Sequence, residues 1–371
     1  MKYFMIAGEA SGDLHGANLV RAIRQQDTAA EVRAWGGDMM SSAGAVVLKH
    51  YRELAFMGFA EVVLNLRTIL RNIKTCKSQI IDYQPDALIL VDYPGFNLRI
   101  AKWAKARGIK VFYYVSPQIW AWHTSRVHGI IATTNRVFAI LPFEPDFYKS
   151  FGYEVSFLGH PLLDVVENLP EQPQFRTQND LDEHRPIVAL LPGSRRQEVS
   201  NMLAIMLKVA DKRPDYQFVV AGAPALPIEF YQDTLQPHPN VKFVTGQTYA
   251  LLQHAAAAFV TSGTATLETA LFNVPQVVCY KANPISYAIA RRVVKVPYIS
   301  LVNLIANKTI VTELIQNDLT PDRLLSEFDR ITSPDCAENM RNAYQQLRSK
   351  LGNSGVADRV ATEIMERLRN G

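Results

Sequence analysis

The chain is 371 residues long, with 48% hydrophobic and 20% charged residues and a formal net charge of +4. That length exceeds one comfortable hydrophobic core and that composition excludes a disordered chain, so a globular protein of two domains is expected. The weak positive charge does not argue for nucleic acid, three cysteines far apart (Cys76, Cys279, Cys336) exclude a paired zinc or redox site, and no apolar run reaches the ~18 residues of a membrane span.

The first half alternates strand-like and helix-like segments. Lys2–Ala7 is a short apolar strand that opens into Gly8-Glu9-Ala10-Ser11-Gly12-Asp13 and a helical stretch, Leu14–Gln25. The N-terminal apolar run is too short for a secretory signal. Small residues at this turn let a ligand approach the backbone at a helix N-terminus, but the spacing is not the dinucleotide G-x-G-x-x-G. Glu9 and Asp13 read first as a capping pair, and second as carboxylates that orient a sugar. Glu31–Trp35 is the next strand.

Leu54–Lys77 is patterned as a helix of another kind. Phe56, Phe59, Val63, Leu66, Leu70 and Ile73 recur at helical spacing, Met57 widens the stripe, and Arg67, Arg71 and Lys74 form a basic row. A wide apolar face with flanking cations suits a helix lying on an anionic membrane; a core helix with a solvated basic edge is the competing reading. Ala87–Val91 is a continuous apolar run ending in Asp92. A carboxylate there, at the end of a central strand, is expected to be partly buried, with its pKa raised towards general-base values; its alternative role is to cap a helix starting near Phe96. Val111–Val115 leads into Ser116-Pro117-Gln118-Ile119-Trp120-Ala121-Trp122, whose tryptophans serve as a sugar platform or, more commonly, as packing anchors. Val137–Ile140 is the last strand of this half. Strands that are apolar throughout, not alternating, imply a parallel sheet covered on both faces, hence an α/β fold.

Residues 166–186 carry three prolines among polar residues and read as a linker. Ile187–Leu191 then begins a second α/β half, with further strands at Phe218–Ala221, Val241–Val244, Ala258–Thr261 and Gln276–Cys279. Two of these strands end in small-residue turns at new helix N-termini. Gly193-Ser194-Arg195 precedes a helix expected from near Glu198, and its free N–H groups and arginine suit a phosphate. Ser262-Gly263-Thr264 precedes a helix carrying Glu268, which lies one turn in and within reach of a ribose diol. Together they suggest a nucleotide diphosphate. Walker A, His-Glu-x-x-His and Gly-x-Ser-x-Gly patterns are absent, and no Asp-x-Asp stands where a metal–diphosphate site needs it, so no metal or cofactor is expected. From Thr320 the chain reads as helical, ending in Val356–Leu368.

Taken in order, AGEASGD (7–13), VSPQIWAW (115–122), LPFE (141–144), GHP (159–161), LLPGSRRQEV (190–199), SGTATLE (262–268) and SLVNL (300–304) resemble the lipid-A-disaccharide synthase family over nearly the whole chain. The resemblance implies a GT-B glycosyltransferase with two Rossmann-like domains. It would transfer 2,3-diacylglucosamine from UDP to 2,3-diacylglucosamine 1-phosphate (lipid X) during lipid A biosynthesis in a Gram-negative bacterium. It also implies an acceptor- and membrane-facing domain over 1–165, a linker over 166–186, a donor domain over 187–345, and a final segment, 346–371, returning to the first domain. Asp92 matches the family's catalytic carboxylate, with Glu9 a second candidate. By the same resemblance Arg195, Ser262 and Asn303 fall at donor-site positions and Glu9 and Ser11 in the family's N-terminal loop; with Gly12, Gly193, Ser194, Gly263, Thr264 and Glu268, read from the turns themselves, they are the expected substrate and UDP contacts. The chain departs from the family pattern at Gly95, where a second Asp is common. The enzyme is expected in the cytoplasm, peripheral on the inner membrane, and a crossing C-terminal helix that swaps between chains would make a homodimer. A UDP-sugar 2-epimerase of the same architecture and a non-catalytic sugar-nucleotide-binding protein at the membrane surface are the rival readings.

Overall fold

The computed structural model describes residues 1–54, 66–122, 124–283, 287–288, 291–292 and 296–370. The chain forms two compact units, Met1–Asp164 with Leu351–Gly371, and Val165–Lys350.

Among the described residues the first unit is built on seven parallel strands: β1 (Lys2–Ala7), β2 (Glu31–Gly36), β3 (Val46–His50), β4 (Ala87–Val91), β5 (Lys110–Tyr114), β6 (Arg136–Ala139) and β7 (Ser156–Phe157). Their order across the sheet is β3-β2-β1-β4-β5-β6-β7. Along β1, side chains alternate between the two faces as strand geometry requires. Tyr3, Met5 and Ala7 join one buried cluster with Val360, Ile364 and Met365 of helix Val356–Arg369, whereas Phe4 and Ile6 join another with Cys76 and Ile80 of helix Leu66–Tyr83. Covering both faces is what makes the central strands apolar throughout. The final helix is fixed at its start by Asp164, whose carboxylate accepts N–H bonds from Gly355 (2.6 Å), Val356 (3.0 Å) and Ala357 (2.9 Å). It packs on helix Ala10–Gln26. Truncating buried Ile364 to Ala there costs about 2–5 kcal/mol.

Among the described residues the second unit holds six parallel strands: β8 (Ile187–Leu191), β9 (Gln217–Gly222), β10 (Lys242–Thr245), β11 (Ala255–Thr261), β12 (Gln276–Tyr280) and β13 (Thr312–Ile315), in the order β10-β9-β8-β11-β12-β13. Residues 166–186, read as a linker from their prolines, fold onto this unit: Phe175 and Leu181 are buried in its core, and Arg176 donates to the carbonyls of Asp182 and Arg185.

β3, β7 and β13 carry no continuous apolar signal because they stand at or next to sheet edges; Val46 in β3 is 60% exposed. In each sheet the strand order reverses once, between β1 and β4 in the first and between β8 and β11 in the second. Open α/β sheets bind ligands beyond the carboxyl ends of their strands at such reversals. Ala7 pairs with Val91 and Val260 with Leu191. The turn at Gly8 therefore lies beside Asp92, and the turn at Gly193 beside Ser262.

Candidate active site

In the first unit, β4 runs out into two consecutive left-handed residues, Asp92 (φ 46°) and Tyr93 (φ 49°), before helix Pro94–Lys105 begins. Proline at the first helical position has no N–H to leave unbonded and a φ already suited to the helix. Tyr93 occupies the cap position and no side chain caps the helix, so the capping role considered for Asp92 does not hold. The Asp92 backbone is pinned. Its carbonyl accepts from Asn97 Nδ2 and Tyr113 Oη, both at 2.7 Å, and its N–H donates to the Tyr114 carbonyl at 3.2 Å. Burial pushes the Asp92 carboxyl up to about 6; the nearby Glu9 charge adds to the rise, and a bond from the Tyr93 N–H opposes it. A carboxyl held near neutrality at a strand end is suited to take a proton. Gly95 is exposed, and a Cβ built on it meets nothing within 4 Å. Asp92 is thus the one carboxylate of the Asp92–Asn97 turn.

Strain continues on the next strand. Val115, a β-branched residue, is left-handed at φ 59° just past β5, a conformation that persists only where the surroundings enforce it. It leads to Trp120, whose ring packs edge-on against Phe143 at 4.8 Å. That is the packing-anchor role; the side chain of Trp122 lies outside the described residues.

Glu9 precedes helix Ala10–Gln26 in extended conformation and makes no side-chain cap bond. Asp13 does not cap this helix either. Its buried carboxylate accepts the N–H groups of Gly37 (2.7 Å), Met39 (3.1 Å) and Met40 (3.2 Å), holding helix Asp38–Ser42 in place. The expected Glu9–Asp13 capping pair is therefore not formed. Ser11 is exposed at the turn. Gly12 is buried, and a Cβ on it would stand 3.3 Å from that of Ala7. Its missing side chain allows the helix to press on the sheet.

In the second unit, Gly193 (φ 127°) ends β8 and helix Arg196–Ala210 starts two residues earlier than expected. The N–H groups anticipated as free phosphate donors are occupied. Glu198 Oε2 accepts from Ser194 at 3.0 Å and Arg195 at 3.2 Å, and a Cβ on Gly193 would come within 2.7 Å of that same oxygen. The helix N-terminus has bound an anion of its own chain, the interaction its dipole favours. What this turn offers a ligand is the Arg195 guanidinium, 58% exposed and only loosely paired with Glu198 at 3.5 Å. Arg196 instead lies over the Phe230 ring, 4.6 Å from its centre.

At the neighbouring turn Ser262 Oγ donates to the Ile299 carbonyl at 2.8 Å, Gly263 is left-handed (φ 150°) with open space where a Cβ would be, and Thr264 is exposed at the start of helix Thr264–Leu271. The first N–H groups of a helix have no carbonyl one turn back to bond. Half-buried Glu268 accepts the Tyr249 hydroxyl at 2.8 Å, and burial raises its pKa. Asn303 is engaged with its own chain. It is fully buried; its amide nitrogen donates to Val311 O and Glu313 Oε1, both at 2.9 Å, and its oxygen accepts from Ile310 and Val311. In this structure it ties helix Leu301–Ala306 to the start of β13. Glu313 also accepts from Ile299 and Ser300, so it sets the loop that holds Ser262. It escaped the sequence reading because β13 did.

Helix Leu66–Tyr83 buries Asn72, Cys76, Ile80 and Tyr83, and Ile73 of the predicted apolar stripe packs half-buried against the same core. Leu70 on that stripe is 54% exposed, among exposed Arg67, Arg71 and Lys74. Phe56, Met57 and Phe59 lie outside the described residues. Among the described residues no helix is long and apolar enough to cross a membrane, and no group of three or more His, Cys, Asp or Glu stands ready to hold a metal ion.

Residues 3–362 match the family described as Lipid-A-disaccharide synthetase. Among curated relatives, a "Lipid-A-disaccharide synthase" of Syntrophus aciditrophicus is 41% identical over 372 residues, covering 98% of this chain and 97% of its own. One of Geobacter sulfurreducens is 38% identical over 373 residues, covering 99% and 97%. Among solved structures, UDP-GlcNAc 2-epimerase from Neisseria meningitidis bound to UDP-GlcNAc superposes with a TM-score of 0.67 at 15% identity, over 100% of both chains. At that identity the likeness is one of fold, the two-domain GT-B architecture.

Proposed function

The chain belongs to the lipid-A-disaccharide synthase family and is a glycosyltransferase of lipid A biosynthesis, and on that premise we propose how its residues divide the transfer of 2,3-diacylglucosamine from UDP to lipid X. The acceptor 6-hydroxyl attacks the anomeric carbon of the donor in a single inverting displacement. As the new C–O bond forms, Asp92 takes the hydroxyl proton and the bond to UDP breaks, leaving the electron pair on the diphosphate. The observation that carries this reading is the Asp92 carboxyl, raised to about 6 by burial at the strand reversal of the first sheet. Glu9 keeps that pKa up through its charge and is assigned to the site as a neighbour of the base.

The departing diphosphate is assigned to the second unit. The N-terminus of helix Thr264–Leu271, open at Gly263, and the exposed Arg195 guanidinium supply the positive potential that stabilises it. Glu268 is assigned to the ribose. The occupied Ser194 and Arg195 N–H groups shift this reading from backbone to side chain at the first turn. Peripheral membrane attachment is supported by Leu70 exposed among three cations on helix Leu66–Tyr83.

The test is UDP release from UDP-diacylglucosamine with and without lipid X. The wild-type protein is expected to release UDP only with the acceptor. Asp92→Asn should lower turnover by about 10²–10⁴-fold at unchanged UDP affinity. Near-normal turnover in Asp92→Asn removes it as the base, and release or epimerisation without acceptor favours an epimerase.

A further inference from the structure

Tyr93 is a bulky residue in a conformation that residues with a Cβ avoid, directly after another such residue. A pair of this kind has to be held from outside, and the holding contacts come from three separate stretches of chain. The first is β1. A Cβ on Gly8 would lie only 2.3–2.6 Å from three atoms of the Tyr93 ring, so the ring rests on the Gly8 backbone. Smallness at position 8 thus serves the protein's own aromatic ring. The second is an aromatic stack. Tyr93 lies on Phe96 at 5.7 Å and 25°, Phe96 lies on Trp35 at 5.5 Å and 28°, and the Trp35 indole N–H donates to Gln79 at 2.7 Å on helix Leu66–Tyr83. The third is a tether: the Tyr93 hydroxyl donates to the Leu54 carbonyl at 3.1 Å.

We propose that Tyr93 is a positioning residue for the transfer reaction: ring and hydroxyl together clamp the Asp92 turn so that the carboxyl is both aimed and shielded from water. This rests on Asp92 being the base. The Tyr93 hydroxyl takes no part in the proton transfer, since it is bonded to Leu54. Its ring acts through Asp92 by covering the turn on the Gly8 side. The helix bearing the basic row is joined to the same stack through Gln79 and Trp35, so the catalytic turn and the proposed membrane-facing helix share one rigid set of contacts.

The proposal separates from a purely structural role for Tyr93 by what each predicts for the pH profile. Gly8→Ala changes neither Asp92 nor Tyr93 chemically but displaces the ring. Tyr93→Ala removes the ring, and Tyr93→Phe keeps the stack and cuts the tether. For Gly8→Ala and Tyr93→Ala, kcat is expected to fall at least about tenfold and the acid limb of the kcat/KM profile to move down towards the ordinary Asp range as water reaches the carboxyl. UDP affinity, read by calorimetry, is expected to stay at the wild-type value. Tyr93→Phe should keep the acid limb in place and lose only a few-fold in kcat, about the cost of one neutral hydrogen bond. Lowered thermal stability with wild-type kcat and an unmoved acid limb in both Gly8→Ala and Tyr93→Ala overturns the proposal and makes Tyr93 a packing residue. Asp92→Asn assayed alongside distinguishes the failures. If it retains turnover, the base assignment falls and the Tyr93 role with it. If it loses turnover while the Gly8 and Tyr93 variants do not, only the Tyr93 role falls.

Discussion

Asp92→Asn should cost activity and add stability, and the two effects should separate with pH. In the folded protein the Asp92 carboxyl has its pKa raised from 3.8 to about 6, mainly by burial. Between these values the unfolded chain has released the proton while the folded one still holds it. Stability therefore falls as pH rises through that window and levels off above about 6. At about 1.4 kcal/mol per pH unit the loss is at most about 3 kcal/mol, reduced by the water that still reaches a half-buried group. Asparagine has nearly the same shape and no charge to bury, so Asp92→Asn escapes this loss. All four tryptophans, Trp35, Trp103, Trp120 and Trp122, belong to the first unit, so denaturant unfolding followed by tryptophan fluorescence reports on the unit that contains Asp92. The variant should match the wild type near pH 4 and exceed it by about 1–3 kcal/mol at pH 8. A stability difference that is the same at both pH values would refute the claim that burial of the Asp92 charge is what raises its pKa.

Arg195→Ala should weaken UDP binding about tenfold or more, the loss of one charge-assisted contact; unchanged affinity would remove Arg195 from the diphosphate site. Asn303→Ala should destabilise the second unit by about 2–4 kcal/mol, because four bonded partners lose their match in a dry site. UDP affinity should survive in the fraction that remains folded, and a variant that loses UDP binding at full stability would place Asn303 in the donor site. Replacing Arg67, Arg71 and Lys74 together with Ser should weaken co-sedimentation with anionic vesicles by about 3 kcal/mol, roughly 100-fold, and leave binding to neutral vesicles unchanged. Equal partitioning of wild type and variant on anionic vesicles would count against this face as the membrane contact.

Much of the molecule is legible in the residues alone. Ala87–Val91 and Ile187–Leu191 must be buried on both faces, because an uninterrupted apolar strand has no side to give to water, and this sets the parallel α/β class. The Asp92 turn and the Ser262–Thr264 turn were readable as strand ends, and both lie at the points where the strand order reverses. β3, β7 and β13 were not, because edge strands are half exposed or very short and lose the apolar signal.

What the sequence could not tell is which polar groups had already found partners. Gly12, Asn303 and the Ser194 and Arg195 N–H groups stand in the right motifs, yet Gly12 is pressed against Ala7, Asn303 is bonded to Val311 and Glu313, and the two N–H groups are taken by Glu198. Asp13 likewise is spent on a helix more than twenty residues away. Local patterning determines which segments are strands and helices, since period and turn chemistry act between near neighbours. The assignment of a hydrogen bond or of a pKa belongs to the tertiary structure. It depends on which strands end up adjacent, as β1 and β4 do across eighty residues, and on how much water their packing leaves behind.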